Sequence, residues 1–315
     1  RYSKPAGQPL ITPATITMDM HRRDFSINAM ALPLFPRKSA ELIDPTEGLA
    51  DINNRSIRVL HHNSFIDDPT RIIRAILYEQ RLGFTIEPTT FHLILRDKGY
   101  LHLLPTAKVR KILEEVFAEE HVEQAIKRIL QFNLLPLLKD LLRCFNKFHL
   151  QIQSIVRTKS RVQYFDVSLG ISSWLLSRTQ LAKLTKQLPC TNQQVKLMNQ
   201  VLTIKELFAK TCSSNPCLSD IYFKLKETSE LSRIIAIHAL SDNSSINLLK
   251  EYESKLKWIR PMLSNRTICT KAGIHKGPLL GKVIRAIISA KIDGTVSGKA
   301  QELQLARSII RESYK

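Results

Sequence analysis

With 315 residues and 43% hydrophobic content, the chain is long enough to bury a substantial core and is expected to fold into two or more domains. Its 47 Lys and Arg against 28 Asp and Glu give a formal charge of +19 and a pI near 9.9, an imbalance that points to a partner carrying a phosphate backbone. Five cysteines without a CxxC pair argue against a zinc site and for a reduced, cytoplasmic protein, and no apolar run is long enough to span a bilayer.

Residues 8–18 mix Thr, Ile and Pro as a strand or its approach would. Next comes His21-Arg22-Arg23-Asp24-Phe25-Ser26-Ile27-Asn28, at the edge of an apolar segment over residues 24–34 that reads as helix or strand. Two adjacent guanidiniums suit a polyanion, because the planar fork matches phosphate oxygens bidentately and never loses its charge. Asp24 and Asn28 are then placed to meet a hydroxyl or a base edge. A surface ion-pair cluster ahead of a helix capped by Ser26 or Asp24 accounts for the same residues. Leu42-Ile43-Asp44 followed by a Pro/Gly turn reads as a strand ending in a loop, and Ser56 to Leu60 alternates as another strand. These elements close a small α/β domain over residues 1–60.

From Asp68 the pattern turns helical, with Asp68 as cap, Pro69 at the first position and Ile72, Ile73, Ile76 and Leu77 as the buried stripe. Arg71, Arg74, Tyr78 and Arg81 recur on another face, and Gly83 ends the helix. Further helices are expected over residues 87–97, 106–119 and 121–132, and the rest is helical with breaks near Gly170, Pro189, residues 213–216, residues 242–244 and Pro261. Asp68 and Arg71 project from one turn: a carboxylate accepts from an exocyclic amine while a guanidinium donates to ring acceptors. That pair suits cytosine or adenine and rejects guanine and uracil, whose edges present the opposite polarity. A capping Asp with an Arg salt bridge explains them too.

The charge excess is uneven, since residues 143–210 hold 11 Lys and Arg against 2 Asp and Glu. Arg157, Lys159, Arg161, Lys183 and Lys186 are the candidate RNA contacts there, through sequence-independent binding to the phosphate backbone. Tyr164, Phe165 and Trp174 are interleaved, but aromatics at helical spacing read first as core.

Arg22-Arg23-Asp24-Phe25-Ser26-Ile27-Asn28-Ala29 closely resembles the RRDFTINA-type motif of the class II nucleotidyltransferases, the family of tRNA nucleotidyltransferases (CCA-adding enzymes) and bacterial poly(A) polymerases. Asp44-Pro45-Thr46-Glu47-Gly48-Leu49-Ala50-Asp51-Ile52 is similar to its D-P-x-x-G-x-x-D-L segment, and Asp67-Asp68-Pro69-Thr70-Arg71 to its E-D-x-x-R motif, with Asp67 in place of the usual Glu. Gly273 to Gly281 and Ala290 to Gly294 resemble the tail pattern of longer bacterial members. The resemblance implies an α+β fold: the C-terminal part of an α/β head over residues 1–60, then an all-α neck over 61–142, body over 143–260 and tail over 261–315. It implies that Arg22 and Arg23 contact the triphosphate, Asp24 and Asn28 position the ribose and phosphates, and Asp68 and Arg71 read the base with Asp67 as a neighbour; Arg74 is counted with these as a nucleotide-binding residue. ATP and CTP are the implied nucleotides, tRNA or another RNA 3′ end the acceptor, and Mg²⁺ the cofactor of the full-length enzyme. The family's D-x-D metal ligands and Gly-Gly or Gly-Ser turn are absent from this sequence, so no catalytic or metal-binding residue is assigned. Opening on Arg1, the chain is read as a fragment of such an enzyme in preference to a remnant that has lost catalysis. A non-catalytic RNA-binding protein on the same scaffold and a poly(A) polymerase are the alternatives.

Overall fold

Apolar residues at helical spacing dominate the chain. The computed structural model is correspondingly helical, and it describes residues 13–34, 41–158, 163–211, 217–275 and 277–313. The chain divides into two compact units, residues 1–192 and 193–315.

The first unit opens with α1 (Ile16–His21), where a strand or its approach was expected. Thr15 accounts for the difference, because its side chain accepts from Met18 N and caps a helical turn instead of extending a strand. The rest of that expected strand, residues 8–12, lies outside the described residues. Residues 24–34 form neither of the regular elements expected of them. A single 3-10 turn over Ser26–Asn28 lies between two isolated antiparallel bridges, Phe25 to Val59 and Ala31 to Ile43. After α2 (Gly48–Asn53) comes β1 (Ser56–Ile57), which pairs in parallel with β2 (Thr85–Ile86) in the register Ser56 to Thr85 and Ile57 to Ile86. A parallel pair needs a crossover, and α3 (Ser64–Asp67) and α4 (Thr70–Leu82) provide it.

Helix α4 starts one residue later than its sequence suggests. Pro69 is the N-cap, while the Asp68 carboxylate accepts from Thr70 N at 3.1 Å and from Thr70 Oγ1 at 2.7 Å. Ile72, Ile73, Ile76 and Leu77 are buried as expected, and Gly83 at φ 63° ends the helix in the left-handed region that favours glycine. Next come α5 (Pro88–Asp97), α6 (Thr106–Ala118) and α7 (Val122–Gln131). Then follow α8 (Lys139–Thr158), α9 (Tyr164–Ser173) and α10 (Arg178–Gln187). Gly170 does not break α9. A lone helical glycine costs about 1 kcal/mol relative to alanine, and here Phe165, Val167, Leu169 and Ile171 are all buried along the same helix.

The second unit runs from α11 (Asn192–Thr211) through α12 (Leu218–Lys226), α13 (Glu230–Ala239) and α14 (Asn243–Ser254). It ends with α15 (Asn265–Ala272), α16 (Pro278–Ile292) and α17 (Lys299–Ser313), packed around Ile268, Val283, Ile287 and Ala306. Gly273, at φ 74°, caps α15, and Gly277 precedes Pro278 at the start of α16, so two of the tail glycines serve helix boundaries. Among the described residues, no helix is long and apolar enough to cross a membrane.

Candidate functional site

The site is assembled by docking one loop on one helix. The segment Asp44 to Asp51 is the frame that holds the loop. Asp44 accepts from Gly48 N at 2.7 Å and Leu49 N at 2.9 Å, which seats α2. Burial raises the pKa of this carboxyl, but those N–H groups outweigh it, and the net shift is downward. Asp51, buried, accepts from Ser26 Oγ and pairs with Arg58. Gly48 lies so close beneath the loop that an added Cβ would collide with Ser26 O. Both aspartates of this segment therefore build structure, and the glycine permits a close approach that no other residue allows.

Held in this way, the loop turns its polar groups toward α4. The Asp24 carboxylate is buried; Oδ1 accepts from Phe25 N at 3.0 Å and Asn28 Nδ2 at 3.2 Å, and Oδ2 meets Arg74 Nη2 at 2.6 Å in an ion pair. Burial alone would lower the pKa of Arg74, but the Tyr78 hydroxyl and the Asp24 charge outweigh it and raise the pKa. Tyr78 stacks edge-on against Phe25 at 5.7 Å between centroids. Arg71, 5% exposed, donates from Nη1 to Ser64 Oγ at 2.7 Å and from Nη2 to Arg22 O at 2.8 Å. Arg22 and Arg23 keep exposed guanidiniums gathered on Asp19, and Arg23 also donates to Asn28 O at 3.2 Å. Each is an exposed ion pair of small energetic weight, so an incoming anion finds these forks available.

The result is one cleft of about 430 Å³ lined by Arg22, Arg23, Asp24, Asn28, Asp68, Arg71, Arg74 and Tyr78. All seven nucleotide-binding candidates named from sequence line it. A second hollow, of about 760 Å³, shares Asp68, Thr70, Arg74 and Tyr78 and continues between α4 and α6 past Arg81, Lys108 and Lys111. Ser64 had no signal in the sequence pattern, and although Gly48 and Asp51 stand in the D-P-x-x-G-x-x-D segment, the close approach at Gly48 and the pairing of Asp51 with Ser26 could not be read from it. Each depends on a contact between segments that periodicity does not reveal.

Of the RNA-binding candidates, Arg157 near the end of α8 is exposed, as are Lys183 and Lys186, which are neighbours on α10. Lys159 and Arg161 lie outside the described residues. Phe165 is buried against Phe117 and Arg110, so it belongs to the core, and Trp174 is half-buried. Among the described residues, no group of three or more His, Cys, Asp or Glu side chains is arranged to hold a metal ion.

Residues 2–58 match the Poly A polymerase head domain family. Over 97% of its length the chain is 27% identical to an A-adding tRNA nucleotidyltransferase of Geobacter sulfurreducens, covering 36% of that protein. It is also 27% identical, again over 97% of its length, to an A-adding tRNA nucleotidyltransferase of Halalkalibacterium halodurans, covering 71% of that protein. The solved complex of a CCA-adding enzyme with ATP superposes with a TM-score of 0.70 at 26% identity, covering 95% of this chain and 73% of that one.

Proposed function

We propose that the chain is a class II nucleotidyltransferase and, within it, the nucleotide-selecting and RNA-holding part of an enzyme that adds C, A or both to the 3′ end of tRNA. The observation that carries this reading is the shared cleft. The turn bearing Asp68 and Arg71 opens onto the same space as Arg22 and Arg23, so one bound nucleotide can meet both. Its triphosphate lies against the Arg22 and Arg23 forks, with Asp24 and Asn28 beside the ribose and phosphates. Its base edge faces Asp68 and Arg71. Asp68 Oδ1 is committed to Thr70, and among the described residues Oδ2 has no donor, which leaves it to accept from N4 of cytosine or N6 of adenine. A guanidinium carries five N–H donors. Arg71 spends one on Ser64 and one on Arg22 O, and the others remain for ring N3 and O2 of cytosine or N1 of adenine. Guanine and uracil present a ring N–H and a carbonyl where this pair needs the reverse.

The adjoining hollow along α4 and α6 gives the RNA end room beside the nucleotide. Exposed cations on α8 and α10 (Arg157, Lys183 and Lys186) hold the duplex by its phosphates, which suits reading an acceptor stem by shape. Enzymes of this family use divalent metal ions. Among the described residues, the two carboxylates that line the cleft do not pair into a magnesium site: Asp24 is held by Arg74, and Asp68 is committed through Oδ1 to Thr70. The part played by these residues is to bind, orient and choose, and Mg²⁺ is left to other groups.

Equilibrium binding of all four nucleoside triphosphates tests the reading. The unaltered chain is expected to hold CTP, ATP or both more tightly than GTP and UTP, and Asp68→Ala with Arg71→Ala to erase that preference while leaving tRNA affinity in place. Equal affinity of the unaltered chain for all four nucleotides overturns it.

A further inference from the structure

Among the described residues, Arg71 has no acidic partner. Its guanidinium, almost wholly out of water, rests on two neutral acceptors, the Ser64 hydroxyl oxygen and the Arg22 carbonyl. Burying a charge is costly unless hydrogen bonds compensate, so these two contacts fix where the fork can stand. Asp67, the residue beside Asp68 that stands in place of the family's glutamate, does not serve Arg71. Its carboxylate lies 4.0 Å from the His61 ring.

Ser64 is fully buried in α3 and anchored by its own N–H to His61 O at 3.1 Å. Its carbonyl accepts from Asp68 N at 3.2 Å, while its hydroxyl accepts from Arg71 Nη1 at 2.7 Å. One residue therefore grips the backbone under the carboxylate reader and the side chain of the guanidinium reader. The spacing between an acceptor and a fork decides which base edge fits, because a bidentate match tolerates little displacement. A carboxylate in the place of Ser64 Oγ would neutralise Arg71 and compete with the base; a hydroxyl orients the fork and leaves its charge for the ligand.

We propose that Ser64 is a specificity-determining positioning residue, which sets the Asp68 to Arg71 spacing and through it the choice of base. The inference rests on the base-reading role given to that pair above. It also separates two properties that a general structural role would move together. Loss of the Ser64 hydroxyl should spare the triphosphate contacts of Arg22 and Arg23, which Ser64 does not touch, and damage discrimination alone.

The test compares CTP, UTP and inorganic tripolyphosphate binding, by calorimetry, in the unaltered chain and in Ser64→Ala, Ser64→Thr and Ser64→Val. The CTP to UTP preference is expected to fall about fivefold or more in Ser64→Ala and Ser64→Val, the scale of one net hydrogen bond. Tripolyphosphate affinity should stay within about twofold, and Ser64→Thr should keep the preference because it keeps the hydroxyl. Thr and Val have nearly the same shape, so that pair decides the matter even where Ser64→Ala does not fold. A preference retained by Ser64→Val, or lost equally by Ser64→Thr, overturns the role of Ser64 alone. Indifference to the base in the unaltered chain, to CTP against UTP and, measured in the same way, to ATP against GTP, removes the base-reading role itself, and this inference with it.

Discussion

Arg71 in the first unit and Glu302 in the second are both charges taken out of water, and they are satisfied in opposite ways. The Glu302 carboxylate is fully buried in α17 and saturated: it accepts from Met262 N and Leu263 N, each at 2.9 Å, and pairs with Lys291 Nζ at 2.9 Å. Arg71 has neutral partners for part of its donor set, and it lines a cleft. A charge whose hydrogen-bonding capacity is used up staples a fold, whereas a charge held in place with capacity left over can meet a ligand. The two units thus use the same expensive device, a buried charge, for structure in one and, on the reading proposed above, for recognition in the other.

The sharpest way to break this contrast is at Glu302. Glu302→Ala leaves the Lys291 ammonium and two backbone N–H groups without their acceptor, and a loss of about 3–5 kcal/mol from the second unit is expected by denaturant unfolding. CTP binding should be unaffected at temperatures where both units remain folded. A variant as stable as the parent would mean that Glu302 is not the staple described. Next in size comes Gly48→Ala. Its Cβ would collide with Ser26 O, and the expected cost is about 1–3 kcal/mol, accompanied by weaker binding of every nucleotide because the whole loop shifts. Unchanged nucleotide affinity in that variant would separate the Asp44 to Asp51 frame from the cleft.

A smaller effect is expected on α10. Lys183→Glu with Lys186→Glu should weaken tRNA binding and reduce the salt slope of log affinity by about two, since each phosphate contact on duplex nucleic acid contributes about 0.9 to that slope. An unchanged slope would clear α10 of RNA binding.

The smallest effect is in pH. Burial raises the pKa of the Glu302 carboxyl, but the Met262 N–H, Lys291 and the Leu263 N–H outweigh it, leaving the group below its ordinary 4.5. The unfolded chain binds that proton first, so the stability from Glu302 is present above pH 4.5 and lost as pH falls through the lower folded value. His61, close to the turn that bears Asp67 and Asp68, is held below its ordinary 6.5 chiefly by burial, with Arg71 and His62 adding to the effect against Asp67. Its contribution is likewise present above pH 6.5 and lost as pH falls through the folded value. Acidification from neutrality should therefore soften the first unit before the second, a sequence that unit-resolved hydrogen exchange can read. The reverse order would contradict these assignments.

The sequence made some of this legible and hid the rest for identifiable reasons. The stripe Ile72, Ile73, Ile76 and Leu77 is a local pattern, and α4 follows it. The seven nucleotide-binding candidates lie in short motifs whose residue types are chemically specific, and all seven line one cleft. What local patterns could not provide were contacts across sequence. Residues 24–34 look apolar enough for a regular element, but they are held as a loop by single bridges to Val59 and Ile43 and by Ser26 N donating to Arg58 O. Strand β2 is only two residues long and has no alternation to detect. Ser64 and Glu302 stand in stretches without any motif, and their importance appears only once Arg71 and Lys291 are found beside them.

The most direct test of the central claim needs no mutation. CTP and UTP share a ribose, a triphosphate and a pyrimidine ring, and differ only in the N3 and C4 edge that Asp68 and Arg71 are held to read. With a bidentate base contact worth about 1–3 kcal/mol, the account predicts that an unaltered chain serving C addition binds CTP at least fivefold more tightly than UTP; for a chain serving A addition alone, the same measurement with ATP against GTP applies. Equal affinities within both pairs would contradict it.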